Sequence, residues 1–248
     1  MPDRDPKSLT LALEMSNPSA IADPLAAGAV ALGAVGDGGC EPIGEEPITL
    51  RSPRDDALAP AIDRLLRRCG VRPGQLDRVA VSAGPGGFTS VRIAVTTAKT
   101  IAEVVGARVV VVPSDEVAAR TAVQSSVTSG PIAVLLAGKR DTAWCAVFEP
   151  AAWDQPAWPA PLIRAVHSAE TFAEAARPVG VTAMVADAHA PAGFTAWAQE
   201  QGIPIAPLAL SAGALLAASA GHEPVDPVVA APIYPREPEA VTKWRERA

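Results

Sequence analysis

Val79-Ala80-Val81-Ser82-Ala83-Gly84-Pro85-Gly86-Gly87-Phe88-Thr89-Ser90-Val91-Arg92-Ile93-Ala94 is the stretch from which the rest of the chain can be read. An apolar run from Arg78 to Ser82 suits a buried strand. The glycines let the backbone turn tightly, and Thr89 or Ser90 opens a helix that runs to about Val105 and stops at Gly106. Amides at a helix start favour an anion, which makes a phosphate cradle tempting. A P-loop, however, needs GxxxxGK[ST], and no lysine follows here. The dinucleotide fingerprint needs a glycine where Thr89 stands. A tight strand-to-helix turn is favoured over a bound phosphate.

Working outward, Leu9 to Leu13 reads as a buried strand. Ala29 to Val35 and Pro47 to Leu50 read as two more, separated by turns around Gly36 to Gly44. Leu58, Ile62, Leu65, Leu66 and Cys69 recur at helical spacing, with Asp55 or Asp56 available as a cap and Gly70 as a stop. After the turn and its helix come a strand at Arg108 to Val112 and a helix capped by Ser114 that reaches about Val123. The order is βββαβαβα. The second half repeats it: strands at Ile132 to Leu136, Thr142 to Phe148 and Leu162 to Val166, a helix at Ser168 to Ala176, and a strand at Val181 to Ala186. A helix near Phe194 to Gln201, a weak strand near Ile203 and a helix near Ser211 to Ala220 complete the pattern. A β-meander followed by alternating helices and strands, given twice, predicts an α/β protein of two ribonuclease-H-like, actin-like lobes. The expected division is residues 1–125, residues 130–222 and a tail of residues 223–248 that packs back on the lobes. Pro150 to Pro161, with Trp153 and Trp158, reads as a surface excursion, and the tail ends in a charged helical stretch.

Composition narrows the function. The chain has 248 residues, 49% of them apolar and 4% aromatic, so its core is built from Ala, Val and Leu. A net charge of −6 lacks the basic stripe of a protein that grips nucleic acid by itself. The clusters Arg64, Arg67, Arg68 and Lys243, Arg245, Arg247 read as a solvated helix face and a solvated tail. Cys40, Cys69 and Cys145 are odd in number and widely spaced, which argues against disulfides or a structural zinc; Cys69 and Cys145 read as core fillers. No signal peptide or membrane span is legible, so a cytoplasmic protein is expected.

The turn sequence Gly84-Pro85-Gly86-Gly87-Phe88-Thr89-Ser90-Val91-Arg92-Ile93 resembles the GPGSFTGLRIG signature of the TsaB family. Leu11-Ala12-Leu13-Glu14-Met15-Ser16 is similar to its opening ALDTS strand, and Leu58-Ala59-Pro60-Ala61-Ile62 resembles its LLPxI helix. Pro232-Ile233-Tyr234-Pro235-Arg236-Glu237-Pro238-Glu239-Ala240 resembles its closing PxYLRxPEA segment. The four matches run in the family's order from about Leu9 to Ala240. The resemblance implies an actin-like fold and a non-catalytic subunit that pairs with the threonylcarbamoyl transferase TsaD. Together they modify adenosine 37 of tRNA, with a TsaE-like ATPase in the larger complex and tRNA met only indirectly. It implies no cofactor and no membrane. This sequence departs from the family pattern at Glu14 and Met15, at Arg54 where a histidine is common, and at Gly87, Ser90 and Ala94.

Catalytic readings find little. The HxxxH metal pair of the transferase relatives has no counterpart, because His167, His189 and His222 lie far apart. Glu14 stands where actin-like enzymes keep an acid, and Asp187 follows a second-lobe strand, but no sequence pattern makes them converge. Ser16 and Ser82 lack a nucleophile elbow. The competing enzyme reading is an actin-like ATPase or sugar-kinase-like protein with nucleotide in the inter-lobe cleft. Against it, the helix from Thr89 to Val105 confines Arg92, Thr96, Lys99, Thr100 and Glu103 to one stripe, and its remaining surface is apolar or small. That excess predicts a docking face built from Leu58, Ile62, Leu65 and Leu66 on one helix and Ala94, Ala98, Ile101 and Val105 on the next. The same apolar helix could instead pair with its own copy.

Overall fold

Strand β1 (Ser8–Glu14) alternates Leu11 and Leu13 on one face with Ala12 on the other, and that alternation sets the layering of the whole chain. In the computed structural model the described residues are 7–18, 21, 23, 25–52, 56–128, 130–152, 154–235 and 244–245. β1 pairs antiparallel with β2 (Ala26–Gly36), which pairs antiparallel with β3 (Gly39–Thr49). On its other side β1 pairs parallel with β4 (Arg78–Ser82), and β4 with β5 (Arg108–Val112), giving the order β3-β2-β1-β4-β5. The second sheet repeats that order: β6 (Ile132–Ala137), β7 (Thr142–Phe148), β8 (Ile163–Ser168), β9 (Ala183–Ala186) and β10 (Ile205–Pro207) lie as β10-β9-β6-β7-β8. Two mixed five-stranded sheets with helices between and around them are the two actin-like lobes expected from the element order.

The helices form three layers. Helices α1 (Leu58–Arg68) and α2 (Phe88–Val105) cover the outer face of the first sheet, where Leu11, Leu13, Val30, Leu32, Val79 and Val81 meet Leu58, Ile62, Leu65, Leu66, Val91, Ala94 and Ala98. Helices α4 (Ala169–Ala176) and α5 (Ala192–Glu200) cover the outer face of the second, with Phe172 and Phe194 fully buried. Between the sheets lie α3 (Ser114–Gln124) and α6 (Ala212–Ala218). α6 belongs to the second half of the chain, yet Ala212, Ala214, Leu215, Leu216 and Ala218 pack on Ala12, Ala31 and Ala80 of the first sheet. α3, from the first half, packs Ala118, Ala119 and Ala122 on Ile132, Val134 and Val185 of the second. The small side chains foreseen for the core are concentrated here, where helix and sheet approach closely.

Three local expectations change. β3 is eleven residues long, and the expected turns around Gly36 to Gly44 shrink to Asp37 and Gly38. Pro42 and Pro47 are tolerated because β3 is an edge strand, whose outward amides have no partner to lose. Ser114 does not cap α3; Pro113 holds the N-cap position, and the Ser114 hydroxyl is used elsewhere. Asp56 does not cap α1, whose N-cap is Ala57 without a side-chain bond, and the alternative, Asp55, lies outside the described residues. So do Arg54, Trp153, Lys243, Arg247, residues 236–240 and most of the charged helical end. The tail that precedes them runs back across the first lobe: Val225 bridges Val109, and the Lys99 ammonium donates to the carbonyls of Val228 (3.1 Å) and Ala230 (2.9 Å).

Cys145 is buried in the second sheet, where desolvation pushes its thiol up to about 12, and Cys69 packs partly buried against the first core. Both fill apolar cores, as expected. Among the described residues no helix is long and apolar enough to cross a membrane.

Candidate functional site

The glycine turn between β4 and α2 is a junction of three chain segments. At Gly84 φ is +103°, and a Cβ there would stand 2.7 Å from the Ile233 carbonyl of the tail, whose own N–H donates to Ala83 O at 2.7 Å. A Cβ on Gly86 would stand 2.2 Å from the Ser16 carbonyl just past β1, and the Gly87 N–H donates to that same oxygen at 2.8 Å. Ser114 closes the junction: its Oγ accepts from the Gly84 N–H at 3.0 Å and lies 2.9 Å from the Ser82 hydroxyl. Two amides that an anion would need, those of Gly84 and Gly87, are therefore engaged within the chain. The glycines of Gly84, Pro85, Gly86 and Gly87 serve close backbone approach, and the residues after them, Phe88, Thr89 and Arg92, point out from the start of α2, all three exposed.

Across the lobes Asp187 is met by Asn17, a residue the sequence leaves unmarked, and not by Glu14. Asn17 Nδ2 donates to Asp187 Oδ2 at 2.7 Å, tying the end of β1 to the end of β9. Asp187 Oδ1 also accepts the His189 N–H at 2.8 Å. Glu14 sits beside them, fully enclosed. Its Oε1 accepts the Ser16 N–H and hydroxyl, both at 2.8 Å, while its Oε2 has no hydrogen-bond partner. Burial pushes the Glu14 carboxyl above its ordinary range, opposed by the Ser16 N–H and by the nearby Ser82 and Ser16 hydroxyls. The pocket lined by Glu14, Asn17, Gly28 and Leu208 to Leu210 has a volume of about 20 Å³. That holds roughly one water, which needs ~10–15 Å³, whereas ligand sites run to about 300–1,000 Å³. The histidines stay apart: His167 contacts Thr171, His222 contacts Glu116, and among the described residues no cluster of three or more potential ligands is poised for a metal.

The expected docking face needs correction. Leu58, Ile62, Leu65, Leu66, Ala94 and Ala98 are buried against their own sheet, and Ile101 and Val105 are partly buried in the same core. Their spacing marks the inward side of each helix. α1 is charged outside, where Arg64 (2.7 Å) and Arg68 pair with Glu46 and Arg67 with Asp63 (2.9 Å), so the arginine cluster is a solvated, paired face. Among the exposed large apolar side chains, three lie on the outer side of α2, next to the tail: Phe88 is 62% exposed, Ile93 44% and Val104 79%. Val228, Val229 and Tyr234 are exposed along the tail that Lys99 holds. The Tyr234 ring lies 5.7 Å from that of Phe88, and the Arg92 guanidinium lies 5.0 Å from the Phe88 centroid. Ile93 and Val104 flank the polar stripe of α2, and only the tertiary structure separates them from the buried Ala94 and the partly buried Val105 next to them in the chain.

With this geometry in place, comparison with known proteins is informative. Residues 54–152 match the family model of TsaD, tRNA N6-adenosine threonylcarbamoyltransferase. A stretch of 43 residues is 49% identical to the Bacillus subtilis (strain 168) tRNA threonylcarbamoyladenosine biosynthesis protein TsaB, covering 17% of this chain; the match spans about a fifth (19%) of that relative's length. Among solved structures, a Pseudomonas aeruginosa protein with similarity to peptidase YeaZ superposes with a TM-score of 0.67 at 21% identity, over 92% of this chain and all of that one. The Pseudomonas aeruginosa YeaZ structure does so with a TM-score of 0.64 at 20% identity, over 92% and 99% of the two chains. At that identity these two likenesses establish the fold.

Proposed function

We propose, on the premise that this chain is TsaB-like, that it is the non-catalytic docking subunit of a TsaD-type transferase in the formation of N6-threonylcarbamoyladenosine at adenosine 37 of tRNA. The observation that carries this reading is the exposure of Phe88, Ile93 and Val104 on α2 and of Val228, Val229 and Tyr234 on the adjoining tail. Isolated apolar residues on a surface need no explanation. Here, however, Phe88 and Tyr234 stack on one side of the polar stripe of Arg92, Thr96 and Glu103, while Ile93 and Val104 lie exposed on the other. Apolar side chains interleaved with polar ones in this way have the composition of a protein interface. The inter-lobe cleft supports the same reading from the other side. The pocket beside Glu14 and Asn17 has room for about one water and not for a nucleotide, which favours the docking reading over the kinase-like one. In this reading tRNA is bound by the transferase. The chain's net charge of −6 agrees with that division of labour. A TsaE-like ATPase would join the same assembly.

Co-expression of the tagged chain with a TsaD-type transferase should yield a stable pair on size exclusion, and the isolated chain should show no ATP turnover. A folded chain that never retains the transferase, or that runs as a tight homodimer through the α2 surface and excludes it, would refute the assignment. Complementation of a strain depleted of its own TsaB then tests the pathway rather than the contact.

A further inference from the structure

We propose that the β7–β8 connection is an inter-lobe strap, pinned by Arg120, that holds the two lobes at one fixed angle. The first lobe joins its equivalent strands, β2 and β3, with two residues, Asp37 and Gly38; the second spends residues 149–162 on the same antiparallel step. A hairpin needs only about two to five residues, so the excess calls for another purpose. In its described residues, 149–152 and 154–162, Asp154, Gln155 and Ala157 are exposed while Pro156 and Trp158 are half-buried, and the backbone around them is tied down. The Gln155 carbonyl accepts from Arg120 Nη1 at 2.7 Å and the Pro156 carbonyl from Nη2 at 3.1 Å, and the Trp158 ring centroid lies 4.8 Å from the Arg120 guanidinium carbon. Arg120 belongs to α3, the helix between the sheets, and is fully buried. Its remaining side is held by Glu116, whose Oε1 accepts from Nε at 3.0 Å and whose Oε2 lies 2.9 Å from His222 Nε2.

The strap touches both lobes. A Cβ on Gly221, just after α6, would stand 2.3 Å from the Pro156 carbonyl, and one on Gly39, at the tip of the first lobe's hairpin, 3.5 Å from the Asp154 carbonyl. Gly39 pairs with Gly36, and the register of β2 on β1 sets Val35 opposite Ser8, whereas Glu14 closes the other end of β1 and Asn17 lies just past it. The strap thus ties the lobes at one end of the first sheet, and Asn17–Asp187 ties them at the other. Two ties at opposite ends leave no hinge, because swinging open either end would strain the other. Lifting the strap would also strip a buried guanidinium of two carbonyl acceptors and an aromatic face, so strap release and lobe opening are coupled. The inference concerns the isolated chain and stands whether or not the partner is a transferase.

Spin labels at Arg72→Cys and Arg177→Cys, on exposed turns of the first and second lobes, report the inter-lobe distance by pulsed resonance, with Cys40→Ser and Cys69→Ser as background. The intact chain should give one narrow distance. Replacing residues 150–161 by Asp-Gly should add a second, longer population and speed amide exchange at Gly28 and Ala209 in the cleft by about tenfold or more. Arg120→Met should do the same to a lesser degree. A broad or double distribution in the intact chain overturns the proposal even if neither variant folds. So does an unchanged distribution in a folded, shortened chain.

Discussion

Glu14 and Gly86 show how much a single position can be asked to do where β1 meets the glycine turn. Glu14 carries a carboxyl that burial makes reluctant to ionise, with one oxygen unpartnered. A folded-state pKa raised above its unfolded value contributes stability that is complete at pH below the ordinary carboxylate range near 4.5 and is lost as pH rises through the folded value. Glu14→Gln preserves the acceptor for the Ser16 N–H but cannot ionise. Its stability relative to the parent should therefore rise between pH 4 and pH 8, by about 1–2 kcal/mol, the scale of an unsatisfied buried polar group. Urea midpoints measured across that range check this, and parallel pH profiles for the two proteins would exclude it. Gly86→Ala should cost roughly 1–3 kcal/mol, as overpacking does, because its methyl group would meet the Ser16 carbonyl 2.2 Å away. Thermal unfolding of the variant reads the loss directly; an unchanged Tm would mean that β1 and the turn move apart freely.

At the scale of elements, α2 has two apolar sides with different fates. Val91, Ala94, Val95, Ala98 and Ala102 are spent on the sheet, while Phe88, Ile93 and Val104 are not. A charge on the first set is a folding defect. Ala98→Asp, with a parent side chain fully enclosed, should destabilise by about 3 kcal/mol or more through burial of an unpaired charge. Ile93→Asp and Val104→Asp should leave the melting temperature within a few degrees, a change of ~0.5 kcal/mol or less. Each should nonetheless weaken transferase capture by at least about tenfold, with the double variant weaker still. Capture at parental strength by the folded double variant would remove α2 from the interface. α3 shows the same economy in polar form. Glu116 is pushed upward by burial, but the hydrogen bond and charge of His222 together with Arg120 outweigh this and hold its pKa below the ordinary value. A depressed carboxylate contributes stability that is present above its unfolded pKa and is lost as pH falls through the folded one. Below about pH 4.5 the Glu116–Arg120–His222 linkage should loosen, seen as acid-promoted exchange of strap amides that Glu116→Gln abolishes.

The whole molecule is one cooperative body, because each half of the chain lends a helix to the other. Residues 1–125 expressed alone would leave Ala12, Ala31, Ala80 and Val110 bare of α6, and they should be insoluble or molten; the intact chain should unfold in one transition by calorimetry and by denaturant. Two separated transitions would contradict this. Much of this body was legible along the chain. The Arg78–Ser82, Arg108–Val112 and Thr142–Phe148 strands fall where their apolar runs end, and the helix expected from Ser168 to Ala176 begins one residue later, with Ser168 as its N-cap. What was not legible is consistent in kind. The expected third strand falls short of β3 because prolines speak against a strand unless it is known to lie at an edge. Ser114 reads as a cap because Ser at a helix start usually is one, whereas here its hydroxyl is recruited by Ser82 and Gly84.

Local chemistry therefore determined the element order, the doubled βββαβαβα pattern and the inward stripe of each helix, since periodicity reports which side of an element avoids water. The tertiary structure alone decided which sides remain bare and which distant groups meet. Ile93 differs from Ala94 only by what lies opposite it, Asn17 finds Asp187 across the lobes, and Arg120 is a core residue because a strap 35 residues further on turns back to cover it. Periodicity holds no record of contacts between segments so far apart in the chain, and it is on those contacts that both the docking surface and the closed cleft depend.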